Sequence, residues 1–209
     1  MKPASNFSKR PSKKSNKSAQ SGDIRIIGGN WRGRRLKVHN KEGLRPTTDR
    51  LKETLFNWLM MEIRGAQVLD CFAGAGSLGF EAASRGAQSV TCLEKDKQAA
   101  SQLKENCQVL KASEQIHVIQ GDFFARIETF NTPFDIVFID PPFHKGFVAK
   151  AINALIEQEV IADSALVYIE QESNAEFQLL NSELSSKFEL IKDKTAGQVS
   201  AQLFRYKAS

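Results

Sequence analysis

Val68-Leu69-Asp70-Cys71-Phe72-Ala73-Gly74-Ala75-Gly76-Ser77-Leu78-Gly79 is the stretch whose reading decides the fold. A short apolar run, Val68-Leu69, ends in a carboxylate at Asp70. Glycines follow at 74, 76 and 79, and a helical pattern then continues to Arg85-Gly86. A strand, a tight turn and a helix in that order form the first half of a nucleotide-type βαβ unit. Glycine suits such a turn because it accepts positive φ and lets a ligand approach the bare backbone. By itself the turn leaves the ligand open.

Downstream the same alternation repeats. Residues 89–94, 115–120, 134–139 and 165–171 read as strands, and residues 77–84, 97–111 and 147–158 as helices. Phe134 to Ile139 is almost continuously apolar, the pattern of a strand covered on both faces. Residues 188–192 and 199–206, joined through Gly197, read as a final antiparallel pair. Strands alternating with helices predict an open, mostly parallel α/β sheet. Ligands bind such sheets at the carboxyl ends of the strands. Asp70, Glu94, Asp122 and Asp140 all fall at those ends.

These acids decide between ligands. The match of Gly74 to Gly79 to GxGxxG is weak alone, and a dinucleotide would rest its pyrophosphate against that turn. Asp70, four residues ahead of Gly74, would repel a diphosphate and would attract a cation. S-adenosylmethionine carries an ammonium and a sulfonium and no phosphate. With Asp70, Gly74, Gly76 and Ser77 around the turn, Glu94 is placed to accept the ribose hydroxyls and Asp122 the adenine amino group. A solvated strand end explains one such acid; three at consecutive strand ends point to a cofactor site, and Asp140 on the neighbouring strand end adds to the same seat for a cation.

Asp140-Pro141-Pro142-Phe143 is the most specific stretch. Two prolines end the central strand in a rigid extended loop, but a mere terminator needs neither the acid nor the ring. An exocyclic amine on a nucleobase is a poor nucleophile because its lone pair is delocalised. The Asp140 carboxylate and the Pro141 carbonyl, accepting both N–H bonds, would favour a pyramidal nitrogen aimed at the methyl group. Asp140 could also take the departing proton. Phe143 would stack on the base, worth about 1–3 kcal/mol. The leaving sulfonium is already activated, so no metal is needed and the rate comes from positioning and electrostatics.

The overall charge of +5 hides an asymmetry. Residues 1–46 hold 13 Lys/Arg and two acids, while the remaining residues hold 16 and 22. A basic arm on a mildly acidic domain suits nucleic acid. Residues 1–22 are polar and basic with almost no apolar content, and are read as a disordered tail because they cannot offset their ordering entropy. Residues 23–45 read as a basic hairpin turning at Gly28-Gly29-Asn30, with Arg25, Arg32, Arg34, Arg35 and Lys37 facing phosphates and Trp31 packing on the domain. Arg45 and Thr47 precede a helix capped at Thr48, whose apolar residues Leu51, Leu55, Trp58 and Leu59 dock on the core; residues 46–209 make up the α/β core. Arg45, Thr47 and Arg50 are more than capping requires, which leaves room for a ligand. Lys145 is a further candidate for a phosphate, and His144 reads as a surface residue.

Cys71, Cys92 and Cys107 include no CxxC pair and read as reduced thiols packed as small hydrophobes. No apolar run approaches the roughly 18 residues needed to span a bilayer, and no signal-peptide core is present at the N-terminus.

Together, residues 26–34 (Ile-Ile-Gly-Gly-Asn-Trp-Arg-Gly-Arg), 45–59, 69–76 (Leu-Asp-Cys-Phe-Ala-Gly-Ala-Gly), 137–143 (Val-Phe-Ile-Asp-Pro-Pro-Phe) and 196–199 (Ala-Gly-Gln-Val) resemble the bacterial RsmD family. The resemblance spans roughly residues 24–206. It implies a class I S-adenosylmethionine-dependent methyltransferase fold with a seven-stranded sheet and an antiparallel last strand. It also implies a cytoplasmic enzyme that modifies guanine N2 in small-subunit (16S) ribosomal RNA, within an assembling subunit. Residue chemistry alone stops at an amino-directed nucleic-acid methyltransferase. It leaves open adenine N6 as the target, a dinucleotide-binding oxidoreductase, and a ribosome assembly factor without activity.

Overall fold

A computed structural model of the 209-residue chain describes residues 22–38, 49–143, 146–173 and 186–208. The expected basic tail, the Thr48 cap, and the candidate residues Arg45, Thr47, His144 and Lys145 lie outside the described residues, apart from Gly22 at the tail's end.

The elements follow the expected alternation. They are β1 (Asp23–Arg25), β2 (Arg35–Lys37), α1 (Asp49–Trp58), β3 (Gln67–Asp70), α2 (Ser77–Ser84), β4 (Ser89–Glu94), α3 (Lys97–Leu110) and β5 (Ile116–Gln120), then α4 (Phe123–Arg126), β6 (Phe134–Ile139), α5 (Phe147–Glu157), β7 (Ile161–Glu172), β8 (Phe188–Ala196) and β9 (Val199–Tyr206). Seven strands form one sheet in the order β5-β4-β3-β6-β7-β9-β8. The first five run parallel, and β9 runs antiparallel to both β7 and β8. This is the class I methyltransferase fold expected from the sequence.

Successive residues of the central strands point to opposite faces of the sheet, and each face is covered. Val68, Phe138 and Tyr168 pack with Leu55 and Phe56 of α1, Leu78 and Phe80 of α2 and Leu103 of α3. Leu69, Val137 and Ile169 pack on the other side with Ala151, Ile152 and Leu155 of α5. Cover on both faces explains the unbroken apolar run of β6.

Three local features differ from the sequence reading. β7 begins at Ile161 rather than near residue 165, and its register against β6 shifts between the Phe134–Ile161 and Ile136–Leu166 pairs. α4 is a four-residue helix capped by Asp122, too short for periodicity to reveal. The N-terminal strands are only three residues each. Between them lies a wide loop with a 3-10 turn at Gly29–Trp31, closed by Ile26 N–H to Arg34 O at 2.9 Å and Gly33 N–H to Ile26 O at 2.8 Å.

Candidate active site

The strand order reverses between β3 and β6. One chain direction leads from β3 outward through β4 to β5, the other from β6 to β7. Crevices form at such a switch point because the connections diverge to either side. A cleft of about 1070 Å³ opens there. Asp70, Glu94, Asp122 and Asp140 all line it, as do Gly74, Ser77, Pro141 and Phe143. Gly76 sits just behind as the N-cap of α2, with φ 81°.

Asp70 lies at the tip of β3 and is 2% exposed. Its carboxylate accepts backbone N–H groups from Gly79 and Phe72, which favours the charged form. Burial opposes this more strongly, and with Glu94 nearby the pKa is pushed up to about 7. A cation entering the cleft would therefore find a carboxyl that needs a counter-charge. The third glycine of the turn keeps α2 close enough for this arrangement. A Cβ at Gly79 would lie 2.6 Å from Cys92 Sγ and 3.4 Å from Asp70 Oδ2. Gly76, the N-cap of α2, has no side chain to cap the helix, and Asp70 accepts one of the first-turn N–H groups, that of Gly79.

Glu94 ends β4 and is held from both sides. Gly74 N–H donates to Oε2 at 2.8 Å and Asp96 N–H to Oε1 at 2.6 Å. These two bonds fix the direction of the carboxylate at the cleft. Asp122 is more occupied than the sequence suggested. It caps α4 through Phe124 N–H at 3.0 Å and pairs with Lys95 Nζ at 2.8 Å. The hydrogen bond from Lys95 is the leading reason its pKa lies below the usual carboxylate range. Asp96, which sequence reasoning passed over, caps α3 through Gln98 and Ala99 N–H and also lines the cleft.

Four phenylalanines wall the floor between these acids and the Pro-Pro loop. Phe72 stacks on Phe147 at 6.2 Å with their planes 4° apart, and Phe123 meets Phe72 at 5.4 Å and Phe124 at 5.2 Å. Phe143 is half-buried against the α1–α2 side of the core. On β7, Glu170 is buried and lines the same cleft, yet the sequence reading did not single it out. The rule that selected the other four acids, a carboxylate near a strand's carboxyl end, would have found it.

The Gly-Gly-Asn-Trp motif has a structural explanation. Ser84 Oγ donates to Gly28 O at 2.6 Å and accepts Trp31 N–H at 2.9 Å. A Cβ on Gly29 (φ 73°) would fall 1.9 Å from Ser84 O. Fully buried Glu81 accepts Ile27 N–H at 2.8 Å and Arg85 Nε at 2.7 Å, and lies 3.7 Å from Lys52 Nζ. Lys52 Nζ also donates to Arg25 O at 2.5 Å. The hairpin is thus held to the core through α1 and α2, and Trp31 packs on the core as expected. Arg25, Arg32, Arg34 and Arg35 are exposed on its outer side, where Arg34 reaches Val109 O at 3.5 Å. Lys52 and Glu81 went unnoticed in the sequence, although a lone acid inside Phe80-Glu81-Ala82-Ala83 is a legible signal.

A family profile described as Conserved hypothetical protein 95 matches residues 24–205. The Ribosomal RNA small subunit methyltransferase D of Haemophilus influenzae is 51% identical over 189 residues, covering 88% of this chain and 94% of that protein. Among solved structures, the putative methyltransferase yhhF from Escherichia coli superposes with a TM-score of 0.80 at 44% identity, covering 90% of this chain and 100% of that one. The fold extends to a T. thermophilus 16S rRNA N2 G1207 methyltransferase (RsmC) solved with AdoMet and guanosine. That chain gives a TM-score of 0.67 at 23% identity, over 90% of this chain and 50% of its own.

Proposed function

This chain belongs to the Conserved hypothetical protein 95 family, the RsmD family, and from that premise we propose that it transfers a methyl group from S-adenosylmethionine to the exocyclic N2 of a guanine in small-subunit ribosomal RNA. Methylation of ribosomal RNA follows from the named activity of relatives that align along nearly their whole length. The finer choice of an exocyclic amine rests on one observation. Asp140 and Pro141, just beyond β6, open into the same cleft as Asp70 and Glu94.

Asp70, Glu94 and Asp122 fit the methyl donor, because carboxylates suit an ammonium, ribose hydroxyls and an adenine amine, and the positive end of a helix suits a carboxylate. A buried acid beside the glycine turn is unsuited to a pyrophosphate, which disfavours the dinucleotide alternative. When bound, S-adenosylmethionine supplies a methyl group already activated on a sulfonium. The chain's own residues then act on the base. Asp140 and the Pro141 carbonyl accept the amine's two N–H bonds and turn its lone pair out of the ring plane. Asp140 holds the proton that leaves. Phe143 stacks on the base, which must be drawn out of any helix to reach this depth. Arg25, Arg32, Arg34 and Arg35 contact phosphates on the outer side of the hairpin, joined by Arg45 and Lys145. The partner is an assembling small subunit in the cytoplasm.

The test is to incubate small subunits from cells lacking the protein with labelled S-adenosylmethionine, then analyse the bases. Label in N2-methylguanine is expected; label in N6-methyladenine would overturn the assignment in favour of adenine. Asp140→Ala should lower kcat roughly 10²–10⁴-fold while the methyl donor still binds. Methylation at the wild-type rate would remove Asp140 from the mechanism.

A further inference from the structure

We propose that Arg25 and Arg35 form a clamp for a single phosphate of the RNA backbone, one site built across two strands rather than two separate contacts. The inference rests on the reading of RNA as the substrate and is independent of which base receives the methyl group.

The site follows from the register of the hairpin. β1 and β2 pair Asp23 with Lys37, Ile24 with Leu36 and Arg25 with Arg35. Just outside these pairs, Val38 N–H donates to Gly22 O at 3.0 Å and Ile26 N–H to Arg34 O at 2.9 Å. Bonded and non-bonded pairs alternate along an antiparallel ladder, so Ile24–Leu36 is a bonded pair and Arg25–Arg35 a non-bonded one. Residues in a non-bonded pair have Cα atoms only about 4.5 Å apart, the closer of the two arrangements. Alternation sends the buried Ile24 and Leu36 to the inner face and the two exposed arginines to the outer one. Their stems therefore rise side by side.

Like charges placed directly opposite each other destabilise a strand pair. One step along the same face the ladder does the reverse, setting Asp23 against Lys37. Among the described residues, the ion pairs of the molecule involve neither Arg25 nor Arg35. An anion between the two guanidinium groups would turn their repulsion into attraction, and arginine presents a planar fork of N–H donors that matches phosphate oxygens. The base of the clamp is fixed. The Arg25 carbonyl is turned away from β2, as in any non-bonded pair. It accepts the buried Lys52 Nζ at 2.5 Å, and Lys52 lies 3.7 Å from Glu81 on α2. An anchored backbone lowers the ordering cost of gripping a ligand.

The neighbours of the clamp say which phosphate it takes. Asp23 and Ile24 of β1, and Val38 just past β2, line the cleft. Arg25 is the next residue of the strand, about 3.4 Å further along, so the clamp stands at the rim of the cleft and not out at the Gly28-Gly29 turn. A phosphate held there belongs to a nucleotide close to the one that enters the cleft. The clamp thus sets the register of the RNA strand without reading its sequence. Arg32 and Arg34 lie toward the turn, outside the paired strands, and contact the backbone separately.

A double-mutant cycle separates one shared phosphate from two. Glutamine keeps most of the side-chain length and removes the charge. Binding of small-subunit RNA from cells lacking the protein is measured for Arg25→Gln, Arg35→Gln and the double variant. Each single substitution is expected to weaken binding about 10-fold, the loss of one charge-assisted contact, and the double variant by little more than either single. The slope of log affinity against log salt should fall by about 1 for either single change and no further for both. Arg32→Gln with Arg35→Gln is the control, where the losses should multiply to about 100-fold. A loss of about 100-fold in the Arg25 and Arg35 double variant would mean two independent contacts and would overturn the clamp. So would single variants that bind like wild type, or a control pair that is equally non-additive. Unfolding without RNA supplies a second readout. At low salt either substitution should keep or raise the urea midpoint, because it relieves repulsion, and the gain should shrink at high salt. A lowered midpoint at low salt would show that the pair holds the hairpin together instead. If the wild-type protein neither binds nor labels small-subunit RNA, the functional reading fails and the clamp falls with it. If it does both and the losses multiply, the shared phosphate alone is refuted.

Discussion

Asp70 ties stability to pH in a direction opposite to that of an ordinary paired carboxylate. Its pKa rises from 3.8 to about 7 on folding because burial disfavours the charge. Below about pH 4 it is protonated in both the folded and unfolded states and contributes nothing. Between pH 4 and 7 the unfolded chain loses the proton while the folded chain keeps it, so stability falls as pH rises. Above 7 the full cost is present, on the order of 4 kcal/mol from the shift. Asp70→Asn is therefore expected to unfold at a higher urea midpoint than wild type at pH 8, with most of the gain gone at pH 4. Titration with S-adenosylmethionine should show weakened binding by the same variant. A gain of equal size at both pH values would show that the buried charge is not its source. A carboxyl buried at this cost beside a cleft is a candidate for a functional role. The same scale holds the clearest miss of sequence reasoning. Glu170 stands near a strand end like the other acids, but only burial and the hydrogen bond from Tyr168 distinguish it from a solvated side chain.

At the scale of elements, the N-terminal hairpin depends on α1 and α2 for its place. Its strands pair over three residues only, and a two-stranded ribbon of that length is not stable alone. Glu81, Arg85 and Lys52 hold it instead, with burial pulling the Lys52 pKa down against the raising effect of Glu81. Glu81→Gln would leave the Lys52 ammonium buried without its counter-charge and is expected to cost about 3–5 kcal/mol in denaturant unfolding. Lys52→Met in that background should recover part of the loss. A shift below 1 kcal/mol for the single variant would mean that the network does not anchor the hairpin. The Gly-Gly turn was legible from the sequence as a turn. Its reason was not, because the approach of Gly29 to Ser84 O depends on residues some 55 positions apart.

At the scale of the whole molecule, the separation of charge governs how RNA would be gripped. The exposed arginines of the hairpin belong to the basic first 46 residues, and the cleft is lined by acids. Backbone contacts by arginine release counterions, so RNA affinity should fall with salt. Arg32→Ala and Arg35→Ala are each expected to reduce the slope of log affinity against log salt by about 1, without altering affinity for S-adenosylmethionine. An unchanged slope in the double variant would move the RNA path away from this face. Sequence by itself determined the sheet class, the four acids at strand ends and the Asp-Pro-Pro-Phe loop, because periodicity, glycine and proline act through local backbone geometry. The order β5-β4-β3-β6-β7-β9-β8, the switch point between β3 and β6, the buried state of Asp70 and the joining of Glu170 to Asp140 were decided only by tertiary structure. Each depends on which distant strands lie side by side and on how much water their packing excludes, and neither is carried by any single stretch of the chain.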